Sequence, residues 1–466
     1  MTSSFNLTST PGTMRPMLKL ALPVLVESLL VMLVGLVDLF LTGRFLETRH
    51  MAAIGLMAYL LWMIPCIFSI VAIGATALIA RFTGAGSHGE ARHTTNQSLL
   101  AGTVLAALVI GPIWRFGPAL LELMQLPADA LAPAQLYLDY VIPVIPAIMV
   151  QVIGTACLRG AGDMMSGFIT MAIVNVVNIS VGTCLVIGIG PFPEMGWEGL
   201  AIGTASGYLV GGLIIMVLLL KGRAGLSLHR RLLRPNFSLI RRVLRIGIPG
   251  GADTLFVVFC HLWFLSVINS LGTLAAATHG IGVRIESLAY LPGSAFAVAA
   301  TTLTGQFLGA GKPDHATRCA LLACLVGGGV MLGAGYLFFF EAEMLTSIFA
   351  GEQTRQATEG AIPLLQLVAI SMPSLALVII LNGALRGAGD TRIPLIFTVV
   401  GLVGIRIPLA YYLAWPEMTI PILNITVAGQ AMGLIGAWYA MVADVVLRSL
   451  LVAGRFWQGG WRNIKV

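Results

Sequence analysis

The sequence predicts an all-α integral membrane protein of about twelve transmembrane helices, folded as two six-helix lobes related by a parallel pseudo-twofold repeat. Three observations carry that expectation: scarcity of charge, a succession of long apolar runs, and recurrence of the same motifs in both halves. Of 466 residues, 58% are hydrophobic and only 10% charged, with a mean hydropathy of +0.93. A soluble domain spends about 25% of its residues on charge, so this composition excludes a water-soluble enzyme or binding module of this size. Backbone in lipid must satisfy its own hydrogen bonds, and the runs far exceed the roughly ten-residue alternating segments of a barrel strand, which leaves a helical bundle.

Apolar runs bounded by charge or by Gly/Pro clusters place six spans at 18–43, 51–80, 94–121, 135–158, 164–190 and 197–220. Six more follow at 246–270, 274–307, 317–340, 361–385, 391–414 and 427–451. Each has the length of about 20 residues that crosses a bilayer. Residues 1–16 are polar, with no small-residue cleavage site after an apolar core, so no removable signal peptide is expected. Residues 221–245 form the strongly polar stretch, a basic cytoplasmic linker between an N-lobe at 1–220 and a C-lobe at 246–466. With the N-terminus inside, 21 of the 27 Lys and Arg residues fall in inner loops and tails; Arg44, Arg49, Arg115 and Arg355 fall outside, and Arg284 and Arg406 within spans. The positive-inside rule then places both termini in the cytoplasm, and the linker against lipid headgroups rather than nucleic acid. Cys66, Cys157, Cys184, Cys260, Cys319 and Cys324 stand singly, without metal-holding spacing, and read as small core residues.

The repeat is legible motif by motif. Leu22-Pro23-Val24-Leu25 meets Ile248-Pro249-Gly250-Gly251 at an offset of 226, and Arg81-Phe82-Thr83-Gly84-Ala85-Gly86 meets Gln306-Phe307-Leu308-Gly309-Ala310-Gly311 at 225. Leu158-Arg159-Gly160-Ala161-Gly162-Asp163 recurs unchanged as Leu385-Arg386-Gly387-Ala388-Gly389-Asp390 at 227. Gly196-Trp197-Glu198-Gly199 returns as Gly433-Leu434-Ile435-Gly436 at 237, which places an insertion of about ten residues in the last outer loop. An even number of helices per half makes the repeats parallel about the membrane normal, the usual frame for alternating access.

These motifs resemble the multidrug and toxic compound extrusion (MATE) family. The resemblance runs through Gly35-Leu36-Val37-Asp38, both glycine-rich inner loops, both Leu-Arg-Gly-Ala-Gly-Asp loops, Arg284-Ile285-Glu286-Ser287-Leu288 and the tail from Leu447 to Trp461. It implies export of organic cations or amphiphilic drugs driven by inward H+ or Na+, without a cofactor. It also implies that Asp38 lies in an N-lobe cation or proton site. In DinF-like members, which this chain resembles more than the NorM-like ones, an asparagine matching Asn178, a threonine matching Thr204 and a second aspartate accompany it. The second aspartate's position is Gly182 here, a departure that weakens a sodium site, since hard cations want several oxygens. A proton needs only one carboxylate whose burial disfavours its charge. Asn175, three residues before Asn178, either joins that face or holds a helix contact. The C-lobe acids of NorM-like members correspond to Val257 and Leu375, so that form of the sodium site is absent.

Charge within a span costs about 2.5–3.5 kcal/mol on insertion scales, so each acid needs a partner, water or a task. Asp444 precedes Arg448 by four residues, a helical ion-pair spacing. Glu27 and Asp253 each follow a repeated proline by four residues. They either face each other as a proton-sensitive inner gate or pair separately with basic residues of inner loops. Arg284 and Glu286 point apart on one helix; Arg406 is a counter-ion candidate for Glu286 or Asp253, and Glu286, if free, attracts cationic substrates. Tyr59, Trp62, Trp263 and Tyr290 suit loose recognition of flat amphiphiles, or pack an ordinary membrane core. His261 is either a titrating group or a packing histidine.

Together these readings describe a prokaryotic inner-membrane secondary antiporter, not an enzyme, able to work as a monomer. Its expected partners are small organic cations or amphiphilic drugs, H+ or Na+, and membrane lipid. The alternative is a lipid-linked oligosaccharide flippase, which wants a cationic cavity for pyrophosphate that two arginines within spans scarcely provide.

Overall fold

The computed structural model describes residues 13–123, 128–349, 355–420 and 425–464. The first repeat comprises α1 (Met14–Phe45), α2 (Thr48–Gly84), α3 (His88–Leu123), α4 (Ala128–Val141), α5 (Ile145–Gly160), α6 (Met165–Ile187) and α7 (Trp197–Leu220). A 3-10 turn at Ile142–Val144 breaks one span into α4 and α5, where Pro143 and Pro146 each withhold an N–H from a continuous α-helix. The second repeat comprises α8 (Phe237–Ser270), α9 (Thr273–Gly309), α10 (Pro313–Phe340), the short α11 (Ala342–Ser347), α12 (Arg355–Ala388), α13 (Arg392–Val399), α14 (Ile407–Ala414) and α15 (Gly433–Gln458). A π-helical turn at Val400–Arg406 joins α13 to α14. With α4–α5 and α13–α14 each taken as one, eleven spans among the described residues are long and apolar enough to cross a membrane. α9, whose apolar run is interrupted by Arg284 and Glu286, completes the twelve.

The expected spans match these helices to within several residues at most ends. The last one starts at Gly433 instead of 427, because residues 425–428 belong to an antiparallel hairpin of β1 (Glu417–Ile420) and β2 (Ile425–Ala428). That hairpin is the insertion signalled by the rise in repeat offset.

The packing crosses the boundary between the repeats. Met17, Leu20, Ala21 and Val24 of α1 are buried with Phe296, Leu303 and Trp461 of the second repeat. Conversely, Val243 and Ile246 of α8 are buried in the first repeat's core with Phe68, Val71 and Ile145. Each repeat's first helix thus begins in the other repeat's core. The basic linker is strapped to α3. Asn96 Nδ2 donates to Ser227 O (2.9 Å) and its Oδ1 accepts from His229 N (3.1 Å), while Gln97 Nε2 donates to Leu232 O (2.6 Å) and its Oε1 accepts from Asn236 N (2.9 Å). The end of the bundle that carries this linker is called the basic end below.

Candidate functional site

α6 and α7 approach at glycines: a Cβ on Gly203 would lie 2.7 Å from Gly182 Cα, and one on Gly199 2.7 Å from the Leu185 carbonyl carbon. α1 packs on α6 and brings Asp38, 5% exposed, to this seam. Thr204 Oγ1 donates to Asp38 Oδ2 at 3.1 Å, and Asn178 Nδ2 donates to Thr204 Oγ1 at 3.2 Å. The structure therefore joins the three residues that the sequence assigned to one site on three helices. Asn175 stays apart from this chain of bonds, its Nδ2 donating to Met171 O in its own helix at 2.9 Å. The Oδ1 atoms of Asn175 and Asn178 are buried without hydrogen-bond partners. Tyr137 of α4 and Tyr208 of α7 lie within electrostatic reach of Asp38. The sequence reading missed both; Tyr208 follows Thr204 by one turn, a usable signal, whereas Tyr137 comes from a helix with no local cue. At Gly182, an added Cβ would meet only Gly203 Cα and Leu41 Cδ1, each at 4.0 Å. The site thus combines one carboxylate, one hydroxyl and one amide with an open oxygen, a set that can hold a proton or offer a few oxygens to a small cation.

Glu27 and Asp253 are not a facing pair of like charges. Arg159 Nη2 lies 2.8 Å from Glu27 Oε1, and Arg386 Nη2 lies 2.7 Å from Asp253 Oδ2. Both arginines belong to the repeated Leu-Arg-Gly-Ala-Gly-Asp motif, so each acid is neutralised within its own repeat and the repulsion that a proton-sensitive gate requires is removed. A double-mutant cycle of Glu27→Gln with Arg159→Gln is accordingly expected to show coupling in stability, while Glu27→Gln with Asp253→Asn adds within about 0.5 kcal/mol. Coupling between the two acids would restore the gate. The motif aspartates are also engaged: Asp163 accepts from Arg223 Nε (2.5 Å) and Ser166 N (3.1 Å), and Asp390 accepts from Arg455 Nε (2.8 Å). The hydrogen bond to Asp163 holds the Arg223 guanidinium above its usual range.

Arg406 requires a correction. Buried at 4% exposure, it is the counter-ion of neither Glu286 nor Asp253; its Nη2 lies 2.8 Å from Asp444 Oδ2. Asp444, fully buried, also accepts from Arg448 Nε (2.8 Å) and Nη2 (2.6 Å), as the helical spacing predicted. The π-helical turn ends on Arg406, and Gly401 within it backs onto the carboxylate: a Cβ there would lie 2.2 Å from Asp444 Oδ1. One carboxylate with two oxygens thus serves two arginines. Glu286 feels Arg406 electrostatically, and neither it nor the exposed Arg284 forms an ion pair among the described residues. His261 is exposed and its Nδ1 donates to Val257 O in its own helix at 2.8 Å. Tyr59, Trp62 and Tyr290 are exposed, and Trp263 packs edge-on against Tyr411 with ring centroids 5.3 Å apart. No ring contact joins those four aromatics to one another among the described residues.

The MatE family profile matches the chain at residues 23–183 and again at 249–412. The chain belongs to the MatE family. The two matches start at Pro23 and Pro249, so the profile registers the same duplication as the motifs. This MatE chain is 28% identical over 454 residues to the "Probable multidrug resistance protein NorM" of Thermotoga maritima, covering 97% of the chain and 94% of that relative. It is 25% identical over 451 residues to the "Multidrug resistance protein MdtK" of Pectobacterium atrosepticum, covering 95% and 94%. Among solved structures it matches an outward-facing conformation of a multidrug resistance MATE transporter of the MOP superfamily, with TM-score 0.88, 19% identity and coverage of 100% and 99%. A MOP superfamily transporter from Pyrococcus furiosus matches with TM-score 0.88, 19% identity and full coverage of both chains. At such identity the structures establish the fold of this MatE protein alone.

Proposed function

We propose that this MatE protein is a secondary active multidrug exporter, exchanging organic cations or amphiphilic drugs for inward protons by alternating access. One observation carries the coupling role. Glu27, Asp253 and Asp444 each hold an arginine, whereas buried Asp38 is held by the Thr204 hydroxyl and meets no arginine among the described residues. A carboxylate without a fixed counter-ion can gain and lose a proton at little structural cost; one locked to a guanidinium cannot. The names of the relatives support the substrate class. By the positive-inside rule the basic end, where the repeats are bonded together, faces the cytoplasm of a prokaryotic inner membrane. Transport draws on an ion gradient, not on a cofactor or enzymatic turnover. The flippase reading loses ground because Arg406 is buried and already paired with Asp444.

The test supplies a fluorescent organic cation outside inside-out vesicles that contain the full chain, under an imposed proton or sodium gradient. Proton-driven uptake is the expected result. Uptake driven by sodium alone would replace the proton with a cation held by Asp38, Thr204 and the open Asn178 oxygen, and absence of uptake under both gradients would overturn the exporter reading.

A further inference from the structure

Arg81 and Gln306 occupy equivalent places in the two repeats, 225 residues apart, near the ends of α2 and α9. The two helices cross there backbone to backbone. A Cβ on Gly84 would sit 1.9 Å from Gln306 O, and one on the equivalent Gly309 would sit 2.1 Å from Arg81 O, so neither position tolerates a side chain while the ends are together. Each helix then sends a donor into the other repeat. Gln306 Nε2 donates to Gly160 O at 3.0 Å, with Thr302 Oγ1, one turn earlier, donating to Arg159 O at 3.0 Å. Arg81 Nη2 donates to Ala388 O at 3.2 Å and to Ile464 O at 3.0 Å.

The acceptors have a common chemistry. Gly160 ends α5 and Ala388 ends α12, so their carbonyls belong to the last turn of a helix, where no intrahelical N–H remains to bond them and the negative end of the helix dipole favours a donor. They are also the main chain of the repeated Leu-Arg-Gly-Ala-Gly-Asp motif, whose arginine holds the first helix of its own repeat and whose aspartate is held by an arginine that follows α7 or lies in the last turn of α15. The motif therefore binds its own repeat through side chains and offers its carbonyls to the other repeat. That division of labour accounts for its unchanged recurrence on both sides of the pseudo-twofold axis.

We propose that Arg81 and Gln306 are the positioning residues of a two-point latch that holds the basic end closed, each donor satisfied by the opposite repeat only when the Gly84 and Gly309 crossing is shut. The exporter reading is needed only for what the latch serves: alternating access then requires both bonds to break, leaving the helix-end carbonyls to water. The asymmetry between a charged and a neutral donor makes Arg81, which also fastens the C-terminal segment at Ile464, the stronger point.

The experiment uses the full-length protein in lipid bilayers, its native cysteines replaced, with spin labels at Ser87→Cys and Arg318→Cys, both on exposed positions at the basic end. Wild type is expected to give one short distance. Gln306→Ala is expected to raise a longer-distance population roughly fivefold, as loss of one net hydrogen bond implies, Arg81→Ala, which loses two bonds from a charged donor, to raise it by more, and the two together to raise it further. Arg81→Lys, which keeps a cationic donor, restores the short distance; a loss due to general structural damage would not be rescued. Gly84→Ala removes no donor and wedges the crossing, and is expected to yield the same long distance. A short distance unchanged in both the double variant and Gly84→Ala overturns the latch. The labels read the gate without any substrate, so an unchanged gate in a protein that still transports drugs sinks the latch alone, whereas a responsive gate in a protein that transports nothing sinks the exporter reading.

Discussion

Asp38→Asn is expected to reduce gradient-driven accumulation of an organic cation to the passive level while leaving its binding in detergent within about twofold of wild type. The amide keeps the shape of the carboxylate and still accepts from Thr204 Oγ1, now 3.1 Å from Asp38 Oδ2, but it cannot load or release a proton. One pH unit across the membrane is worth about 1.4 kcal/mol, or roughly tenfold accumulation of a monovalent cation exchanged one for one, and the substitution forfeits that whole amount. Thr204→Ala, which removes the hydrogen bond to Asp38 and the one from Asn178 but leaves the carboxylate, is expected to keep transport and shift the pH at which it is half-maximal. Vesicle uptake against a proton gradient separates the two. Accumulation that survives Asp38→Asn would move coupling to another acid, with Glu286, which has no arginine partner among the described residues, the first to replace.

Asp444→Ala is expected to cost about 3–5 kcal/mol of stability, because it strands two buried guanidiniums that had shared one carboxylate as counter-ion. Arg406 and Asp444 are 4% and 0% exposed, and Gly401 closes the space beside the carboxylate, so water has little room to take its place. Thermal unfolding in detergent measures the loss. Replacing Arg406, Asp444 and Arg448 together by apolar residues of similar volume is expected to recover most of it, since desolvating three charges offsets much of their mutual attraction. A near-neutral Asp444→Ala would mean that the triad is hydrated.

What the sequence disclosed depended on the range over which each feature acts. Helices, their number and the duplication follow from hydropathy and from repeated motifs, all of them local signals. The hairpin announced itself only as an offset rising from 227 to 237, which measures length but carries no fold. Asp38, Asn178 and Thr204 were identified by resemblance, and helix packing through Gly182 and Gly203 brings them together. The arginine partners were not legible. Arg159 was visible as a motif residue and Glu27 as an acid, but they are 132 positions apart and no periodicity links them. Arg406 was assigned by depth in the membrane, with Asp444 taken as spent on Arg448, although a carboxylate has two oxygens and a π-helical turn could aim a second guanidinium at it.

The exchange of helix beginnings between cores has a consequence for how the chain is made. While the first repeat is being synthesised, Met17, Leu20, Ala21 and Val24 have no core to enter, because Phe296, Leu303 and Trp461 do not yet exist. The first repeat likewise lacks Val243 and Ile246 until the linker has emerged. Neither half is therefore a finished folding unit, and the ancestral duplication has become a reciprocal clasp whose closure waits for the last residues of the chain, a long-range step that biogenesis must reach before either half is sealed.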